Sequence, residues 1–126
     1  MKKVALLACL LFLFSCKKEG EETFGQPNPT EVSQTPEQLG KSIFEGNGNC
    51  VACHRIDEKL VGPSVKDMAK IYKILNGDLV SFLKDEAKPI VDPTQYEVMK
   101  TNLALTKEMS EQELKGLEAY IYSTIK

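Results

Sequence analysis

The sequence predicts an all-α protein. Three observations lead there. Apolar residues recur at three- and four-residue spacings, Ser, Thr and Asp stand where those stretches begin, and no run shows the sustained alternation of a half-buried strand. About four helices are expected over residues 35–126.

The first helix opens at Thr35, with Pro36 at the first helical position and Gln38 placed to complete a capping box. Leu39, Ile43 and Phe44 give it an apolar face, and the glycines and asparagines of residues 46–49 end it. A second helix is expected over 64–75, with Val65, Met68, Tyr72 and Leu75 on one stripe and Asn76-Gly77 as the stop. Asp78 caps a short helix carrying Leu79, Phe82 and Leu83. Residues 87–99 contain Pro89 and Pro93 and are expected to form an extended loop. The last helix starts at Ser110, which makes a capping box with Glu113. Its buried stripe is Leu114, Leu117, Ile121 and Ile125.

The N-terminus is set apart from these elements. Lys2 and Lys3 precede an apolar run from Val4 to Phe14, too short to span a bilayer as a helix, and Ser15-Cys16 follows. That order is a secretory signal over residues 1–15, excluded from the fold. Leu13-Phe14-Ser15-Cys16 also resembles a bacterial lipobox, which implies cleavage before Cys16 and lipidation of its thiol. An ordinary signal cut nearby would leave Cys16 a free thiol instead. Lys17 rather than Asp follows, which points toward the outer membrane. Residues 16–34 are rich in charge, Gly and Pro, and are expected to form a flexible tether. Basic and acidic residues are near balance, 16 against 18, so nothing points to nucleic acid. Losing Lys2 and Lys3 with the leader leaves 14 against 18, a net charge of −4.

The cysteine account then closes. Cys9 leaves with the leader and Cys16 takes lipid, so Cys50 and Cys53 remain. A secreted pair normally reads as a disulfide, but His54 follows directly. Cys50-Val51-Ala52-Cys53-His54 is Cys-x-x-Cys-His, the attachment pattern of a c-type haem. Two thiols one turn apart reach two vinyl groups on one porphyrin edge, and the adjacent imidazole supplies a nitrogen to iron. With this composition such a pentapeptide arises by chance on the order of one time in a thousand. His54 is the only histidine, so a second imidazole ligand from within the chain is excluded. The other axial ligand is then Met, Lys, an amine, water or nothing.

From Thr35 to Lys126 the chain resembles a bacterial monohaem class I cytochrome c of lipoprotein type. Leu39-Gly40-Lys41-Ser42-Ile43-Phe44 is similar to the family's first helix, Val61-Gly62-Pro63-Ser64 to the segment after the haem motif, and Leu117-Glu118-Ala119-Tyr120-Ile121 to the last helix. The resemblance implies the small cytochrome c fold around one covalent haem c, with the first and last helices crossing. Gly40 allows a close approach, and Tyr120 is a suitable partner for it. It also implies that the Pro63 carbonyl accepts a hydrogen bond from the proximal His54; a plain turn is the other reading of Gly62-Pro63. A methionine in the loop before the last helix is the expected distal ligand. Met99, which is 45 residues beyond His54, fits that place. Met68 lies on a helical stripe, and Met109 precedes the cap Ser110 as a hydrophobic staple against Leu114. The family often has proline after this ligand, where this chain has Lys100. Asn102 matches a position from which some relatives donate a hydrogen bond to the ligand sulfur. Arg55, Lys88 and Tyr96 are candidate neighbours of the haem propionates, though solvated charges and a packed ring account for them as well.

The expected function is single-electron transfer by a His/Met-ligated haem in the periplasm or cell envelope. It implies a membrane anchor, monomeric behaviour and partners such as a respiratory oxidase, reductase or dehydrogenase. No nucleophile–base pair suggests an enzyme. One alternative is a haem-based gas or redox sensor with a labile distal ligand. Another is a haem-free thiol–disulfide protein, for which a strand should precede the motif.

Overall fold

A computed structural model describes residues 34–126. The expected leader, the Cys16 lipidation site and most of the tether lie outside those residues. The described part is helical, with α1 at Pro36–Glu45, α2 at Val65–Ile74, α3 at Leu79–Leu83, α4 at Tyr96–Thr106 and α5 at Glu111–Ser123. Short 3₁₀ turns cover Cys50–Ala52 and Pro93–Gln95. There is no strand among the described residues, only an isolated antiparallel bridge between His54 and Lys59.

Four of the five helices begin where their side chains dictate. The Thr35 hydroxyl accepts from the Gln38 amide while the Gln38 side chain accepts from the Thr35 amide, a closed capping box with Pro36 just inside. Ser110 and Glu113 do the same for α5. The Ser64 hydroxyl caps α2, and the Asp78 carboxylate caps α3 through the Ser81 amide.

The first and last helices cross as expected. A Cβ on Gly40 would lie 1.8 Å from the Gly116 carbonyl oxygen, so only glycine permits this approach of backbones. The residue at the crossing is therefore Gly116, and Tyr120 instead packs one turn along, its ring 5.3 Å from Phe44. Ile43 and Phe44 meet Leu114, Leu117 and Ile121 in the core, joined by Val65, Ala69 and Tyr72 from α2 and by Leu79 and Leu83 from α3.

Three expectations change. Residues 96–99 are helical, so Met99 stands in the first turn of α4 and not in an extended loop. Leu75 is the C-cap of α2 and 59% exposed; Ala69 takes the buried place on that helix. Ile125 lies beyond the end of α5 and is only partly buried.

Candidate haem site

The segment after α1 turns tightly into the Cys-x-x-Cys-His motif. Asn49 adopts a left-handed conformation (φ 51°), which asparagine tolerates better than most residues, and starts the 3₁₀ turn that carries Cys50. The amides of Cys53 and His54 both donate to the Cys50 carbonyl, at 3.1 and 2.9 Å, which compacts the motif into one turn. The chain then doubles back. The Gly62 amide donates to the Cys53 carbonyl, and the Val65 and Lys66 amides donate to the carbonyls of Arg55 and Ile56. The start of α2 is thereby pinned to the motif.

This return places Pro63 beside His54. His54 is 7% exposed, and its Nδ1 lies 2.8 Å from the Pro63 carbonyl oxygen. A carbonyl only accepts, so Nδ1 carries the proton and Nε2 keeps a free lone pair. Burial lowers the pKa of His54, while the Pro63 bond works in the opposite direction, so the ring is neutral and competent to bind a metal. Gly62 is required here: a Cβ would stand 2.4 Å from Cε1 of the imidazole.

Cys50 and Cys53 are unpaired thiols rather than a disulfide. Burial pushes Cys50 up to about 11, so it is protonated at neutral pH; its sulfur lies 3.5 Å from the Gly48 carbonyl oxygen.

These groups border a cleft of about 380 Å³. Cys50, Cys53, His54 and Pro63 line it, and so do Tyr96, Val98, Met99 and Asn102 from α4. Its base is formed by core side chains that include Tyr72, Leu79 and Ile121. The size lies within the range of cofactor pockets, roughly 300–1,000 Å³. An apolar cleft with two thiols, an imidazole with Nε2 free and a glycine where a side chain would strike that ring fits covalent haem.

The family pattern described as cytochrome c matches residues 37–124. The chain belongs to the cytochrome c family. It is similar to a cytochrome c-551 from Pseudomonas denitrificans, with 41% identity over 49 residues, or 39% of this chain and 57% of that relative. The chain thus spans little more than half the length of the relative it matches. Its cofactor is the covalent haem c of cytochromes c.

The methionines separate by position. Met99 and Met68 line the cleft; Met109 is partly buried against the core and does not. Met68 is on α2 as expected, with both a core and a cleft contact. Arg55 and Lys88 are exposed, whereas Tyr96 is half-buried with its hydroxyl on Asp85. No described helix is long and apolar enough to cross a membrane.

Two contacts near the cleft have no signal in the sequence. Lys59 Nζ lies 2.9 Å from Asp92 Oδ2 across 33 residues, and the Tyr96 hydroxyl lies 2.6 Å from Asp85 Oδ1. The Gly62 requirement was within reach, since its neighbour Pro63 is the expected acceptor for His54.

Proposed function

We propose that this cytochrome c is a single-electron carrier of the bacterial cell envelope. Cys50 and Cys53 would hold haem as thioethers. His54 Nε2, with its tautomer fixed by Pro63, and the Met99 sulfur would bind its iron. When bound, haem supplies an iron that takes up and gives back one electron. The chain's own residues do the rest. Tyr72, Leu79 and Ile121 keep water from the buried side, the Pro63 carbonyl holds the Nδ1 proton, and the cleft leaves an edge open to partners. Cys16 carries the lipid anchor after removal of residues 1–15, residues 16–34 tether the domain of residues 35–126, and the partners are redox proteins such as a respiratory oxidase, reductase or dehydrogenase.

The observation that carries this reading is the convergence of both motif cysteines, His54 and Met99 on one apolar cleft. Purified holoprotein should keep its haem through denaturation and acidified organic extraction and should give a low-spin reduced-minus-oxidised spectrum. Haem that extracts freely would end the thioether assignment. A ferrous spectrum that shifts at once with carbon monoxide would favour a sensor with an open distal position. Mass spectrometry of the native N-terminus should find a lipidated Cys16; an unmodified terminus at another residue would remove the anchor.

A further inference from the structure

If Met99 binds iron, something must hold its turn of helix in place, and beyond the partial contact of Met99 itself with the core the packing of α4 does not supply it. The buried residues of α4 are Leu103 and Thr106, both in its second half. No side chain caps its N-terminus, where Gln95 stands. Val98, next to Met99, is 54% exposed. The end of α4 that borders the cleft is thus the end with least apolar anchorage.

Tyr96 is what ties that end down. It lies three residues before Met99, a neighbouring position on the same helix face, and both residues line the cleft. Its ring sits 6.4 Å from Phe82 of α3, which in turn lies 6.3 Å from the buried Tyr72 of α2. Its hydroxyl donates to Asp85 at 2.6 Å. Asp85 occupies the turn after α3 in a left-handed conformation, φ 61°. Its amide donates to the Phe82 carbonyl and the next amide donates to the Ser81 carbonyl, so the turn is fixed. Glycine adopts that conformation at no steric cost. An aspartate there is explained by its carboxylate, which accepts the Tyr96 hydrogen bond. The same bond occupies the tyrosine hydroxyl and sets a negative charge beside it, which argues against a haem propionate as its partner.

We propose that Tyr96 and Asp85 are a positioning pair that sets the first turn of α4 and so determines how firmly Met99 stays on the iron. The pair rests on the reading of Met99 as distal ligand, and it acts through Met99 without touching the metal. Without the bond the first turn is free to move, and a competing ligand replaces the thioether more readily.

The test titrates ferric holoprotein with imidazole and follows the long-wavelength charge-transfer band of methionine-ligated haem. Tyr96→Phe removes the donor and keeps the ring against Phe82. Asp85→Gly removes the acceptor at a position whose backbone glycine favours. Each should raise the apparent imidazole affinity about three- to tenfold, the range of one hydrogen bond. The double variant should go no further than either single, because both remove the same bond. Asp85→Asn keeps an acceptor and should recover part of the effect. Ser110→Ala, which uncaps α5, should lower the thermal midpoint and leave imidazole affinity unchanged. Unchanged affinity in both single variants, or additive effects in the double, overturns the pair. Met99→Ala separates this from the reading beneath it. If the band is lost there but the single variants bind imidazole like the parent, the pair alone is wrong; if the band survives in Met99→Ala, the ligand assignment is wrong.

Discussion

Two segments supply the proposed iron ligands, and they are built differently. Residues 50–64 are held by a dense set of short-range hydrogen bonds: the Cys53 and His54 amides on Cys50, the Gly62 amide on Cys53, and the His54 ring on the Pro63 carbonyl. Residues 87–106 have two prolines, a 3₁₀ turn and a helix whose burial is confined to Leu103 and Thr106. The first segment positions its imidazole through hydrogen bonds among residues close in the chain. The second positions its sulfur through distant partners, with Thr106 on Leu83, Tyr96 on Asp85 and Asp92 on Lys59. A ligand built the first way is hard to displace, and one built the second way responds to changes elsewhere in the fold.

The largest effects should fall on the first segment. Gly62→Ala would place a methyl group 2.4 Å from Cε1 of His54, whose ring is held on the Pro63 carbonyl while the Gly62 amide is tied to the Cys53 carbonyl. Holoprotein yield should collapse, as it should for Cys50→Ser, Cys53→Ser or His54→Ala. Normal holoprotein with an unshifted spectrum in Gly62→Ala would show that the ring has more freedom than its surroundings suggest.

The second segment should lose its ligand but keep its haem. Met99→Ala should abolish the long-wavelength ferric band and lower the potential, since a thioether ligand raises it. Met109→Ala should keep the band and lose only a partly buried contact, about 1 kcal/mol or less. If the band survives in the Met99 variant and vanishes in the Met109 variant, the iron lies at the start of α5 and the comparison must be redrawn.

The same contrast decides what was legible in the sequence. Cys-x-x-Cys-His and the Thr35, Ser64, Asp78 and Ser110 starts were readable because each signal lies within a few residues; the crossing of the first and last helices, a contact between residues far apart in the chain, followed only from the family resemblance. The helix α4 was not. It lacks a capping side chain, and Val98 and Leu105 are 54% and 44% exposed, so its apolar residues do not fall on one buried stripe. Met99 fits a ligand's place in an expected loop, yet it sits on a helix and packs against the core. What set it apart is its place at the cleft. Gly116 went unnoticed because a glycine inside a helix announces a close contact only when the opposite helix is known. Ala69 was missed because one methyl group contributes little to a hydrophobic stripe.

An effect smaller than the loss of an iron ligand should follow from the buried hydroxyl of Thr106, which donates to the Leu83 carbonyl at 2.6 Å. Thr106→Val keeps the volume and leaves that carbonyl unpaired, a cost of about 1–3 kcal/mol. Hydrogen exchange should quicken in α4 before it quickens in α1 or α5. Uniform acceleration across all helices would mean that α4 unfolds only with the whole domain, and the two segments would then be equally tied to the core.

The weakest link joins the two segments directly. Lys59 is exposed and Asp92 is partly covered, so their ion pair is screened by salt, with a Debye length near ~10 Å at 0.1 M ionic strength. The Asp92 carboxyl is held below the usual carboxylate range, first by the Thr94 hydroxyl at 2.5 Å and then by Lys59. A depressed carboxylate stabilises the fold above its unfolded pKa, about 3.9, and that contribution fades as pH falls through the lower folded value. The link is therefore complete at neutral pH and lost only in acid. Titration of the Asp92 carboxyl carbon by NMR should show an upward shift in Thr94→Ala and a smaller upward shift in Lys59→Gln. The Lys59 variant should also lose its difference from the parent as salt is raised, while the Thr94 variant keeps most of its own. A larger shift from Lys59→Gln than from Thr94→Ala would make the contact between the segments, and not the local turn, the main restraint on Asp92. The second segment would then be fastened to the first more strongly than its exposed position implies.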